Sequence, residues 1–159
     1  MNVTSLTERQ DNESTLQASD TSALRQAVRG EVVVPGDVAY DQARKVWNGM
    51  VDRRPAVIVY CTGSDDVAAA VNFARARSLL VAVRSGGHNI GGASVCNGGI
   101  VIDLSRMKQI DVDPVRRTAR AQAGLNLGEF DTATQAHGLA TTMGINADTG
   151  IAGLTLGGG

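Results

Sequence analysis

Apolar positions along this chain become regular at Ala56. Ala56-Val57-Ile58-Val59-Tyr60 is an unbroken apolar run of strand length, and it predicts a buried strand. Ser64 then caps a helix, with Asp65 and Asp66 in its first turn, where carboxylates complement the helix dipole. Val67, Ala70, Val71 and Ala74 follow helical spacing and mark the apolar stripe. Leu79 to Val83 and Ile100 to Leu104 read as two further strands. Gln109 to Val112 and Thr118 to Ala121 form a hairpin around Asp113-Pro114. Asn126 and Glu129 have capping-box spacing for a helix to His137, closed by Gly138.

Upstream the pattern is weaker. Met1 to about Asp20 is polar and unpatterned, which predicts a mobile tail. Asp20 or Thr21 caps a short helix through Leu24, Ala27 and Val28 that ends at Gly30. Val32-Val33-Val34 is extended and runs into a turn at Pro35-Gly36-Asp37. Tyr40 to Met50 carries the single tryptophan, Trp47, expected to pack on the domain edge, and Arg53-Arg54-Pro55 is a break. The chain thus divides into a polar tail with a short helix, 1–30, and one α+β domain, 31–159.

The composition narrows the function. The 159 residues suffice for one domain with a real core, and 43% of them are hydrophobic. Aromatic residues are only 3% and the net charge is −1, so neither base stacking nor an electrostatic footprint for nucleic acid is indicated. No apolar run approaches the ~20 residues of a membrane span, and the first residues contain no secretory apolar segment. Cys61 and Cys96 are isolated, which suits reduced thiols and a cytoplasmic protein. Cys61 follows a strand and faces the core, whereas Cys96 lies in a loop.

Glycine is the outlier. The chain has 19, gathered between Gly86 and Gly99 and again from Gly144 to Gly159. Arg84-Ser85-Gly86-Gly87-His88-Asn89-Ile90-Gly91-Gly92-Ala93-Ser94 combines backbone freedom, a cation, two hydroxyls and one of two histidines. Glycines let the main chain approach a ligand closely, and successive N–H groups can form a nest for an anion such as pyrophosphate. The run lacks G-x-G-x-x-G, a Gly-Lys-Ser/Thr ending and a nucleophile elbow. Local composition alone leaves a ligand-binding loop and a glycine-rich turn with a solvent-facing histidine equally open. His137, in the last turn of a helix, reads as structural. The acids are scattered, and neither they nor the two histidines suggest zinc or a carboxylate pair.

Three motifs in order change this picture. They are Arg84-Ser85-Gly86-Gly87-His88 with Gly92 and Ser94, then Gly98-Gly99-Ile100-Val101-Ile102-Asp103-Leu104-Ser105, then Thr149-Gly150-Ile151-Ala152-Gly153-Leu154-Thr155-Leu156-Gly157-Gly158-Gly159. Together, from about Tyr40 to Gly159, they resemble the FAD-binding half of PCMH-type flavoproteins of the vanillyl-alcohol oxidase superfamily, in particular the berberine bridge enzyme-like oxidases. The resemblance implies an FAD-binding domain of two α/β subdomains. The first would run from about Gly30 to Leu104, and the second would start near Arg106 and be incomplete. The abrupt glycine-rich end is read as a fragment whose substrate domain is absent.

The resemblance also implies a site. His88 would bond covalently to the 8α-methyl carbon of the isoalloxazine. Backbone groups of Ser85, Gly86, Gly87 and Asn89 would cradle the pyrophosphate with Ser94 nearby, Arg84 would also bind the cofactor, and Asn146, Thr149, Gly150 and Gly153 would line the other side. Gly144-Ile145-Asn146-Ala147-Asp148, shortly before Thr149-Gly150-Ile151, contains no cysteine, so a single histidyl link is expected where doubly tethered members carry two. The implied activity is hydride transfer from a C–H of a small organic substrate to flavin N5, with oxygen as acceptor. Two alternatives accompany it: a truncated module without turnover, and a PCMH fold that holds FAD non-covalently.

Overall fold

A computed structural model describes residues 16–157 of the chain. Residues 1–15 of the tail expected to run to about Asp20, and the last two glycines of the third motif, lie outside those residues, while the end of that stretch is helical from Ala18.

The chain opens with α1 (Ala18–Ala27), β1 (Glu31–Val33), a single helical turn α2 (Tyr40–Ala43) and β2 (Val57–Tyr60). It continues through α3 (Ser64–Ala76), β3 (Val81–Arg84) and β4 (Ile100–Asp103). Beyond these come the hairpin strands β5 (Ile110–Asp113) and β6 (Thr118–Ala121), then α4 (Leu127–Gln135) and α5 (Ile151–Leu156). Strands order as β1-β2-β4-β3 in one sheet, with β1 antiparallel and β2, β4 and β3 parallel. β5 and β6 form a separate antiparallel ribbon.

The apolar runs of β2 and β4 are continuous because these central strands are covered on both faces, whereas the edge strand β3 buries Ala82 and Arg84 and exposes Val81 and Val83. Val57, Val59, Ile100 and Ile102 pack on one side with Leu24, Ala70, Phe73 and Ala74 from α1 and α3. Ile58, Val101 and Ala82 pack on the other with Val33, Tyr40, Ala43, Val95 and Cys96. Leu125, Leu127, Phe130 and Ile151 make a smaller third core around α4 and α5. Among the described residues, no helix is long and apolar enough to cross a membrane.

Several boundaries differ from the sequence expectation for definite reasons. α1 starts earlier, because Asp20 sits in the first turn and accepts from the Gln17 N–H at 3.1 Å instead of capping a later start. Gly63, not Ser64, is the N-cap of α3. The buried stripe of α3 is Asp66, Ala70, Phe73 and Ala74, so Val71 lies off it and is exposed. β3 begins at Val81, not Leu79, and extends to Arg84. Cys96, although in a loop, is buried. The capping box at Asn126 forms as the spacing predicts: Glu129 N–H donates to Asn126 Oδ1 at 2.9 Å, and Asn126 N–H donates to Glu129 Oε2 at 2.8 Å. α4 stops at Gln135, two residues short, and Gly138 takes the left-handed conformation (φ +66) that turns the chain away.

Asp66 ties the first elements together. Its carboxylate accepts from the N–H groups of Arg29 (2.8 Å), Gly30 (3.2 Å) and Thr62 (2.8 Å), and from the Thr62 hydroxyl (2.8 Å). Burial alone would raise its pKa, but these donors outweigh it and hold the carboxyl below its ordinary value. A depressed folded pKa adds stability above the unfolded value of about 3.9, and that stability is lost as pH falls through the folded pKa. Asp66→Asn is therefore expected to cost about 2 kcal/mol in urea unfolding at neutral pH. Repeating the melts in acid should show the variant losing less stability than the parent as pH drops below about 4.

Candidate functional site

β3 and β4 end side by side, and their last residues build the floor of the site. In the parallel register Arg84 is the partner of Asp103, so both side chains leave the same face at the carboxyl end of the sheet. Arg84 Nε donates to Asp103 Oδ2 at 2.5 Å, and both residues are buried, 6% and 2% exposed. The guanidinium also donates to the carbonyls of Ala43 (2.6 Å) and Lys45 (3.1 Å), while Asp103 Oδ1 accepts from the Ser105 N–H (2.8 Å). Arg84, expected to contact a ligand, is therefore committed to the protein. Its cation is consumed beneath the loop and does not line the cleft.

The glycine loop leaves β3 above this pair and forms one wall of a cleft of about 360 Å³, a size typical of small-molecule sites. Ser85, Gly86, Gly87, His88, Asn89 and Ser94 line it, joined by Val83 and Ala93. Thr149, Gly150, Gly153 and Leu154 form the facing wall. Nine of the eleven residues expected at the site thus meet in one place. Asn146 does not: it is exposed, and its carbonyl accepts from the Thr149 N–H at 3.2 Å to shape the turn. Val83, Ala93 and Leu154 were not foreseen, since ordinary aliphatic residues carry no chemical signal.

The two walls touch through glycine. A Cβ on Gly86 would lie 2.5 Å from the Gly150 nitrogen, and one on Gly150 would lie 2.5 Å from the Gly86 nitrogen. Gly87 adopts a positive φ of +72, which turns the loop toward His88. The Ser85 hydroxyl donates to the Ala123 carbonyl at 2.6 Å, anchoring the loop to the second unit. That unit is pinned in turn: Leu127 N–H donates to Thr149 O at 2.9 Å and Ile151 N–H to Leu125 O at 3.0 Å.

The wall is prepared for an anion and a flat ring system. Among the described residues, the N–H groups of Gly86, Gly87, His88 and Asn89 donate to no protein acceptor. Ser94 Oγ is buried and likewise has no partner among the described residues. A buried hydroxyl without a partner, like that of Ser94, is rare unless a ligand or water meets it, and the N–H groups of Gly86 and Asn89 are open to solvent. His88 is partly buried, stacks on Trp47 with ring centroids 5.5 Å apart, and has Nε2 3.9 Å from Asp148 Oδ2. Trp47 packs on the histidine and stays 62% exposed. The cysteines take no part. Both are free, burial pushes the Cys61 thiol up to about 12, and burial also raises Cys96. His137 is exposed, far along the chain just beyond α4.

Known proteins are similar to this chain in sequence and fold. The family model described as FAD binding domain matches residues 55–159. The FAD-linked oxidoreductase hasG of Aspergillus fumigatus is 41% identical over 128 residues, covering 80% of this chain and 27% of that protein. The crystal structure of 6-hydroxy-D-nicotine oxidase from Arthrobacter nicotinovorans superposes with a TM-score of 0.78 at 36% identity, over 80% of this chain and 28% of that one. BBE-like 1 of Physcomitrella patens gives a TM-score of 0.79 at 27% identity, over 84% and 29%. The chain therefore spans under a third of the length of these relatives.

Removing Arg84 alone should strand the Asp103 charge in the core. Arg84→Ala is expected to cost about 3–5 kcal/mol in urea unfolding, whereas the double change Arg84→Met with Asp103→Leu should cost clearly less. With its cleft, its paired glycine walls and the match over residues 55–159, the chain belongs to the FAD binding domain family.

Proposed function

We propose that the cleft holds FAD through a covalent bond to His88, as the FAD-binding part of an oxidoreductase acting on a small organic substrate. The observation that carries this is the combination of unpartnered loop N–H groups with a buried, unpartnered Ser94 hydroxyl, beside the imidazole. Gly86, Gly87, His88 and Asn89 would present their N–H groups to the pyrophosphate, with Ser94 donating from the side. Thr149, Gly150 and Gly153 would close the opposite face, where the open space at Gly153 leaves room for a planar group. A neutral imidazole keeps a lone pair on one ring nitrogen, so His88 has the chemistry of the attached nucleophile.

When bound, the flavin would accept hydride from a substrate C–H and pass the electrons to oxygen; the chain's part is binding and orientation. Arg84 and Asp103 would keep the loop in place without touching the cofactor. No catalytic base is assigned among the residues of the cleft. Asn146 would act only by shaping the turn before Thr149. A cytoplasmic location accords with the pair of free thiols.

The test is direct. Purified protein supplied with FAD should keep its yellow colour in the pellet after acid precipitation. His88→Ala should still bind FAD but release all of it to the supernatant. Ser94→Ala should retain the bond and weaken the initial non-covalent affinity about 2- to 10-fold, the worth of one hydrogen bond. Flavin released equally by parent and His88→Ala would refute the covalent link, and failure of either to bind FAD would refute the site.

A further inference from the structure

The only tryptophan of the chain lies against the histidine of the cleft. The Trp47 and His88 planes are 22° from parallel. Core burial does not account for this placement, because most of the indole is exposed. His88 lines both the cleft and an adjoining recess, whereas Trp47 lines only the recess, so the indole stacks on the imidazole without lining the cleft.

The segment carrying Trp47 is laced to the glycine loop along its length. Trp47 N–H donates to the Gly87 carbonyl at 3.2 Å. Asn48 Nδ2 donates to Ile90 O at 2.8 Å, and Arg53 Nη1 to Gly92 O and Val95 O at 2.7 and 2.9 Å. Arg84 holds the start of the same segment through Ala43 O and Lys45 O. Residues 43–53 therefore act as a strap whose contacts follow the loop from its root to its far end.

A strap is needed there. Gly86 and Gly87 offer no side chains against which the ring of His88 could pack, and the terminal torsion of a histidine is broad. Asp148 approaches only the Nε2 edge. Among the described residues, the Trp47 indole is the aromatic face stacked on the ring.

We propose that Trp47 is a positioning residue for His88: its stacked face sets the imidazole plane for attachment to the flavin. This rests on the histidyl–FAD link proposed above. In the attachment a C–N bond forms between an imidazole nitrogen and the 8α-methyl carbon. One methyl C–H bond and the imidazole N–H bond break. The two electrons and two protons end on dioxygen as hydrogen peroxide. Trp47 exchanges nothing in this step; it fixes the direction of the nitrogen lone pair, and attack of this kind requires an aligned approach at about 3–3.5 Å.

Trp47→Ala, Trp47→Leu and Trp47→Phe in the full chain separate orientation from folding. The backbone bond to Gly87 persists in all three, and leucine covers comparable surface without a flat ring. Mixed with FAD, Trp47→Ala and Trp47→Leu should form acid-stable flavin about tenfold or more slowly than the parent, with non-covalent affinity nearly unchanged. Trp47→Phe should restore most of the rate, since a planar face remains. In the flavin-free chain, the His88 ring-proton resonances should move downfield in the alanine and leucine variants and stay near their parent positions with phenylalanine. Attachment at the parental rate in Trp47→Ala or Trp47→Leu, or unmoved His88 resonances, would overturn the role of Trp47 and leave the histidyl link standing. Acid-labile flavin in the parent itself would overturn the link and this role with it.

Discussion

The buried pair of Arg84 and Asp103 is the interaction on which the site depends. Two charges removed from water are costly, and only close geometry with full hydrogen bonding offsets the loss. Here the parallel register brings the two residues side by side, and the remaining polar atoms find the Ala43 and Lys45 carbonyls and the Ser105 N–H. The pair therefore joins three segments at the carboxyl end of the sheet: the root of the glycine loop, the strap before β2 and the exit from β4. Ligand sites in parallel sheets open at this end, and the pair gives the opening a rigid floor.

Above that floor, recognition falls to the main chain. The walls meet where Gly86 faces Gly150, at a separation that no side chain on either would allow. The second wall is held by the bridge between Asn126 and Gly150 and by the capping box that starts α4 on the same asparagine. One residue thus both begins a helix and fixes the far side of the cleft. The result is a surface of N–H groups and small residues, suited to an anion by dipoles and not by net charge. This is consistent with a chain whose overall charge is only −1.

Short-range features of the fold were legible. The strand runs at Val57 and Ile100, the hairpin around Asp113, the Asn126 box and the Gly138 turn all follow from residues within a few positions of each other. The glycine segments were legible as well, because positive φ and close approach demand a residue without Cβ. Arg84 misled for the same local reason. A cation before a glycine loop resembles a ligand contact until its distant partners are known. Trp47 was invisible as part of the site, since its position in the chain says nothing about which ring it will stack on.

The chain by itself determined where strands, helices and glycine turns lie, because capping, periodicity and backbone freedom act between near neighbours. Tertiary structure alone decided that Arg84 is spent on Asp103, that Gly86 faces Gly150, and that Trp47 backs His88. Those pairings join residues far apart in sequence, and only the register of a packed sheet and the loops crossing its end bring them within bonding distance.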